Sequence, residues 1–241
     1  ESTEIEERFF GEVDAQRSIE AVDYFSNFQH PSVGRDELHN LLIYMSLQKI
    51  RTPKGLAHFA SLTGLTNRNA VLFKMQELHR MYCALWTECV WAVVDASECE
   101  TKFIVSDHPV TVYNEACFPQ SKHCRGVRDP EIWLSGTFTI FPLCLDKALI
   151  LTNLSWARNP YGDPLKPRPN PNLFRGAIFN FQKVQTGRKL TDTEVQEINY
   201  IIKARAHRYI AAAKEEWLYP ERTVNSRWDQ LGDGYLLFPD P

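Results

Sequence analysis

"WAVVDASECETKFIVSDHPV", residues 91 to 110, sets the class of this chain. Residues 90–95 are rich in Val and Trp, residues 102–106 alternate apolar with polar, and "ASECE" between them has the composition of a turn, so the spacing predicts a hairpin. Along the second strand Phe103 and Val105 share a face opposite Lys102, Ile104 and Ser106, which puts Asp107 on the apolar side as the strand ends. A carboxylate in that position needs partners.

Two kinds of partner fit. Asp and Ser ahead of Pro109 commonly close a turn by bonding nearby backbone N–H groups, a structural solution. The functional solution is a carboxylate placed to bind a divalent cation or to take a proton from a nucleophile. His108 adds an imidazole that titrates near neutrality. It joins Asp107 in one site only if the turn brings the two to one side, because neighbouring strand residues point to opposite faces.

Helices flank this segment. Leu38, Leu41, Leu42 and Met45 recur at helical spacing in "RDELHNLLIYMSLQKIR", residues 35 to 51, and Thr52-Pro53 should stop that helix near Arg51. Val71, Leu72, Met75, Leu78 and Leu85 predict a second helix over about 67 to 90. A third is announced by the capping-box spacing of Thr191 and Glu194, with Val195, Ile198, Ile202, Ala206 and Tyr209 forming one stripe to about 214. "GTFTIFPLCLDKALILT", residues 136 to 152, predicts another hairpin, broken at Pro142 to Lys147, and "GAIFNFQKV" further on is strand-like. The expectation is an α+β fold, helices packed around short antiparallel strands and hairpins, in a single domain over 1–241. It carries a stiff proline-rich loop within 156–175 and a tail, 216–241, that packs through Tyr235 to Phe238.

On the first long helix Gln48 and Arg51 border the apolar face. Arg51 would either brace Asp107 as an ion pair or bind a phosphate or carboxylate, a task that suits the guanidinium fork. Asn199 and His207, near the stripe of the last helix, are candidates to reach the same interior, with backbone satisfaction the ordinary fate of such groups.

The 241 residues carry a formal charge of −3, which excludes a globally basic nucleic-acid binder. Charge is unevenly placed, however. Residues 1–23 hold eight acids against Arg8 and Arg17, whereas 156–189 hold seven basic residues against Asp163. Solvated faces are the ordinary meaning of such runs. The basic run, with Trp156, Tyr161 and Phe174, is also where a small-molecule or nucleic-acid substrate would be gripped. The six cysteines lack CxxC spacing and fit reduced, mostly buried thiols of a cytoplasmic protein. Cys117, His123 and Cys124 lack a recognisable zinc spacing, and no apolar run is long enough to span a membrane. GxSxG, GxGxxG, HExxH and phosphate-binding glycine loops are absent, which removes several hydrolase, dehydrogenase, metalloprotease and NTPase classes.

"SLQKIRTP" (46–53), "KFIVSDHPV" (102–110) and "FTIFPLCLDKALIL" (138–151), together with Asn199 on the late helix, resemble a bacterial, fungal and viral family catalogued as domain of unknown function 4238. Its features are a helix ending Q-x-x-R-T-P, a strand ending T-S-D-x-P and a later P-L-S-P-like turn, and the likeness covers roughly 1 to 215. Val105 stands where Thr is common, and Leu145-Asp146 replace a Ser-Pro-like pair. The family usually opens with a His/Pro-bearing segment that has no counterpart here, so the chain is expected to be a truncated or processed portion. The resemblance implies that Gln48, Arg51, Ser106 and Asp107 form one constellation, and it implies no activity. Two expectations result: a hydrolase or nuclease-like effector on a phosphate-bearing substrate, using Asp107, Arg51, Gln48 and His108 with Ser106 and Asn199 as binding residues, or a binding or scaffold protein braced by Arg51 and Asp107.

Overall fold

A computed structural model describes residues 16–27, 34–65, 67–117, 124, 128–168 and 184–224. Six helices occur among them: α1 Gln16–Asn27, α2 Arg35–Arg51, α3 Pro53–Thr63, α4 Arg68–Thr87, α5 Leu154–Arg158 and α6 Asp192–Arg205. The strands are β1 Cys89–Asp95, β2 Val105–Ser106, β3 Thr111–Tyr113, β4 Phe138–Pro142, β5 Lys147–Asn153, β6 Gln185–Lys189 and β7 Ile210–Ala211. Five of them form a mixed sheet in the order β3-β4-β5-β1-β6, and β2 pairs with β7 in a separate ribbon. The α+β class holds.

β1 explains the layering. Trp91 and Val93 face a core built with Phe25, Leu41, Met45 and Trp86 from α1, α2 and α4, while Ala92 and Val94 face Val195, Ile198 and Ile202 of α6. A strand buried on both sides belongs at the centre of a sheet and needs a neighbour along each edge. It finds them in β5, antiparallel from Cys89↔Asn153 to Asp95↔Lys147, and in β6, which runs parallel.

The predicted hairpin between 90–95 and 102–106 is therefore corrected, because both edges of β1 are taken. Residues 102–104 run extended beside the β4–β5 turn, where Phe103 N–H donates to Leu145 O at 3.0 Å, and only Val105 and Ser106 pair as a strand, with β7. Their alternation is corrected too: Phe103 and Ile104 are both buried, and Val105 is 49% exposed. Ile104 turns inward because Asn199 on α6 holds its backbone, accepting from Ile104 N–H at 3.1 Å and donating to Lys102 O at 2.8 Å.

The β4–β5 hairpin, the end of α2 at Arg51 and the capping box of α6 follow the sequence. α6 itself is shorter than its stripe. It stops at Arg205, Ala206 leaves the helix with ψ 153°, and Tyr209 is exposed. The proline-rich segment is described to Arg168, which is buried, pairs with Glu88 and donates to Leu85 O at 3.1 Å. Arg188 and Lys189 of the same basic run pair with Glu194 and Glu98. Phe174, the strand-like 176–183 and the Tyr235 to Phe238 patch lie outside the described residues. No cysteine is in a disulfide, and four of the six are buried. Among the described residues no helix is long and apolar enough to cross a membrane.

Candidate functional site

The corner "QKIRTPKG", residues 48 to 55, builds half of the site. Thr52 ends α2 and caps α3, accepting from Gly55 N–H at 3.1 Å, with Pro53 in the first turn where its missing N–H costs nothing. The turn is tight. A β-carbon at Gly55 would fall 2.3 Å from Lys49 O and 2.6 Å from Ile50 O, so only glycine allows this approach. Lys49, in the last turn of α2, and Lys54, in the first turn of α3, are thereby brought to one carboxylate, Asp129.

That carboxylate is 7% exposed and surrounded by donors. Lys49 Nζ lies 2.5 Å from its Oδ2, His108 Nε2 lies 2.9 Å from the same oxygen, and Lys54 Nζ lies 2.7 Å from Oδ1. Arg205, the last residue of α6, donates Nε–H to Oδ1 at 3.0 Å and also bonds it through Nη2. Lys49 and Lys54 also donate to Val110 O at 3.2 Å and Arg205 O at 2.6 Å. Thr52 Oγ1 is 2.7 Å from His108 Nδ1. Lys49 Nζ lies 2.8 Å from His108 Nε2 as well, so this ring nitrogen faces both Lys49 and Asp129.

The electrostatics follow from burial among these charges. Desolvation opposes a charged Asp129, yet Lys49, the His108 hydrogen bond and Lys54 more than offset it and hold the carboxyl well below the usual range. Burial lowers Lys49 despite Asp129, and lowers Lys54 to about 8. Burial and Lys49 push His108 down to about 4. Lys49, Lys54 and Arg205 are 5%, 2% and 3% exposed, so three cations share one buried carboxylate among the described residues. Basic side chains outnumber the carboxylate there, although burial disfavours the charge on both lysines.

A cavity of about 40 Å³ adjoins the cluster, lined by Lys49, Lys54, His108 and Asp129 together with Phe59, Leu78, Met81, Tyr82, Val112 and Ile132. His58, Glu131 and Trp133 complete it. Burial raises the Glu131 carboxyl towards its neutral form and lowers His58. His58 Nδ1 is buried without a hydrogen-bond partner among the described residues.

Of the residues anticipated from sequence, His108 lies in this cluster. Gln48, Arg51, Ser106, Asp107 and Asn199 do not line the cavity. The chain diverges after Ser106: His108 turns into the cluster, while Asp107 accepts from the backbone N–H groups of His207 at 2.9 Å and Arg208 at 2.8 Å. Asp107 N–H donates to Tyr209 O at 3.0 Å, so this residue clamps the chain just past Arg205. Ser106 Oγ caps the turn by accepting from His108 N–H at 3.2 Å, and Asn199 holds residues 102–104 as described. Gln48 and Arg51 are partly buried beside the corner.

Lys49, Lys54, Asp129 and Arg205 escaped the sequence reading. Two of them carried a signal. Lys49 continues the stripe Leu42, Met45, and Arg205 continues Ile198, Ile202, so each is a basic residue where an apolar one is due. Asp129 lies in a loop, and no periodicity marks it.

Among the described residues no group of three or more His, Cys, Asp and Glu could hold a metal ion. No curated protein and no solved structure matches the chain. Residues 1–216 match the model of the family described as protein of unknown function DUF4238, and with nine-tenths of its length inside that match the chain belongs to this family.

Proposed function

We propose that the chain binds a phosphate-bearing substrate at the Lys49–Lys54–Arg205 cluster and hydrolyses it. The observation that carries this reading is that three buried basic side chains meet one buried carboxylate beside a cavity. Buried charges are ordinarily matched one to one, since an unmatched one costs several kcal/mol of desolvation. A phosphate group would accept from the basic side chains that Asp129 alone now serves and give the buried His58 Nδ1 a polar neighbour. In the hydrolysis water attacks phosphorus and the P–O bond to the leaving group breaks. The leaving oxygen takes a proton from Glu131, whose burial favours the protonated carboxyl, and Glu131 regains one from the attacking water. Neutral His108 orients Asp129 and, through it, the lysines.

A specific observation favours a second reading, a binding or scaffold protein. Asp129 ties α2, α3, α6 and the segment after β2 together, which a purely structural centre would also do. The deciding experiment measures hydrolysis of a panel of phosphate esters, and thermal shifts with the same panel, for wild type and Lys54→Met. Turnover by wild type that Lys54→Met abolishes supports the enzyme. Burial already disfavours the Lys54 charge, so the variant should melt at or above wild type when no ligand is present. If no ester is turned over or shifts the melting temperature, the hydrolase falls and the structural centre stands.

A further inference from the structure

The cavity's shape narrows the substrate. Resting on the phosphate reading, we propose that the site takes a terminal phosphate monoester end-on, with an apolar or planar group next to the phosphate lying against Trp133. An internal phosphodiester is excluded.

Three observations support this. First, the basic groups lie deep: Lys49 and Lys54 line the cavity and are 5% and 2% exposed, so a ligand must enter it to reach them. A diester inside a chain must enter and leave on both sides and needs an open groove. Second, the space of about 40 Å³ is a few times the roughly 10–15 Å³ that one water needs, room for one tetrahedral head and no more. Third, the lining also holds the apolar Phe59, Leu78 and Ile132, and with them Trp133, which is 38% exposed. An exposed indole beside a charged floor suits a ligand with one ionic end and one flat end.

Titration calorimetry with phenyl phosphate, diphenyl phosphate, benzoate and inorganic phosphate tests this. Phenyl phosphate is expected to bind at least about tenfold more tightly than either diphenyl phosphate or inorganic phosphate. Trp133→Ala should remove most of the advantage over inorganic phosphate while leaving the affinity for inorganic phosphate unchanged. Diphenyl phosphate binding as well as phenyl phosphate would overturn end-on recognition and leave the phosphate reading intact. Equal affinities of Trp133→Ala and wild type for phenyl phosphate would overturn the role of the indole. Binding of benzoate alone, or of none of the four, would overturn both this inference and the phosphate reading.

Discussion

Asp107 and Asp129 are both carboxylates in loops, and they are satisfied in opposite ways. Asp107 is partly exposed and accepts from two backbone N–H groups, His207 and Arg208, with a third contact from its own N–H to Tyr209 O. Burial opposes its charge, and the backbone N–H groups of His207, Arg208 and Tyr209 still lower its carboxyl below the ordinary value. Asp129 is buried and, among the described residues, its partners are side chains: three basic ones and the His108 imidazole. Backbone donors bring no net charge, so the Asp107 clamp is complete. Basic side chains outnumber the one carboxylate they share, even with burial disfavouring the lysine charges. The first arrangement is a joint; the second is where the proposed anion would bind.

The two centres should respond differently to substitution. Asp129→Asn leaves Lys49, Lys54 and Arg205 buried without their counter-ion and should cost about 3–5 kcal/mol, read as a fall in the denaturation midpoint. A loss under about 1 kcal/mol would mean that the cations are not held there and would collapse the contrast. His108 gives the next largest effect. Its folded pKa of about 4 lies below its ordinary 6.5, so an unfolded chain takes up the proton first as pH falls. Stability is then lost between about pH 6.5 and 4, up to about 3 kcal/mol, and His108→Gln should flatten that limb in urea titrations across pH.

Smaller effects belong to the backbone-satisfied side. Asn199→Ala orphans Ile104 N–H and Lys102 O and should cost about 2 kcal/mol without changing ligand affinity. Asp107→Asn keeps one acceptor for two N–H groups and should cost about 1–2 kcal/mol, measured by thermal unfolding, with ligand binding retained. If Asp107→Asn instead abolished binding while the protein melted as wild type does, the division between joint and anion site would fail.

How much was legible varied by element. The corner at Arg51-Thr52-Pro53 and the start of α6 were readable, because proline and a capping box act within a few residues of themselves. The β4–β5 hairpin was readable for the same reason: its partners are joined by a short turn. Residues 102–106 were not. Their alternation promised a hairpin with the strand before them, but β1 had better partners far along the chain in β5 and β6.

Local sequence by itself determined where helices begin and stop, that Thr52-Pro53 makes a corner, and that "SDHP" ends a strand-like run in a turn. Tertiary structure decided which polar groups meet. Asp129 lies 80 residues from Lys49 and 76 from Arg205 along the chain, and only the packing of α2, α3 and α6 against the sheet brings those charges together. The physical reason is range. Steric and hydrogen-bond preferences act between neighbours in sequence, whereas burial and Coulomb attraction act between neighbours in space and take their values from the finished fold.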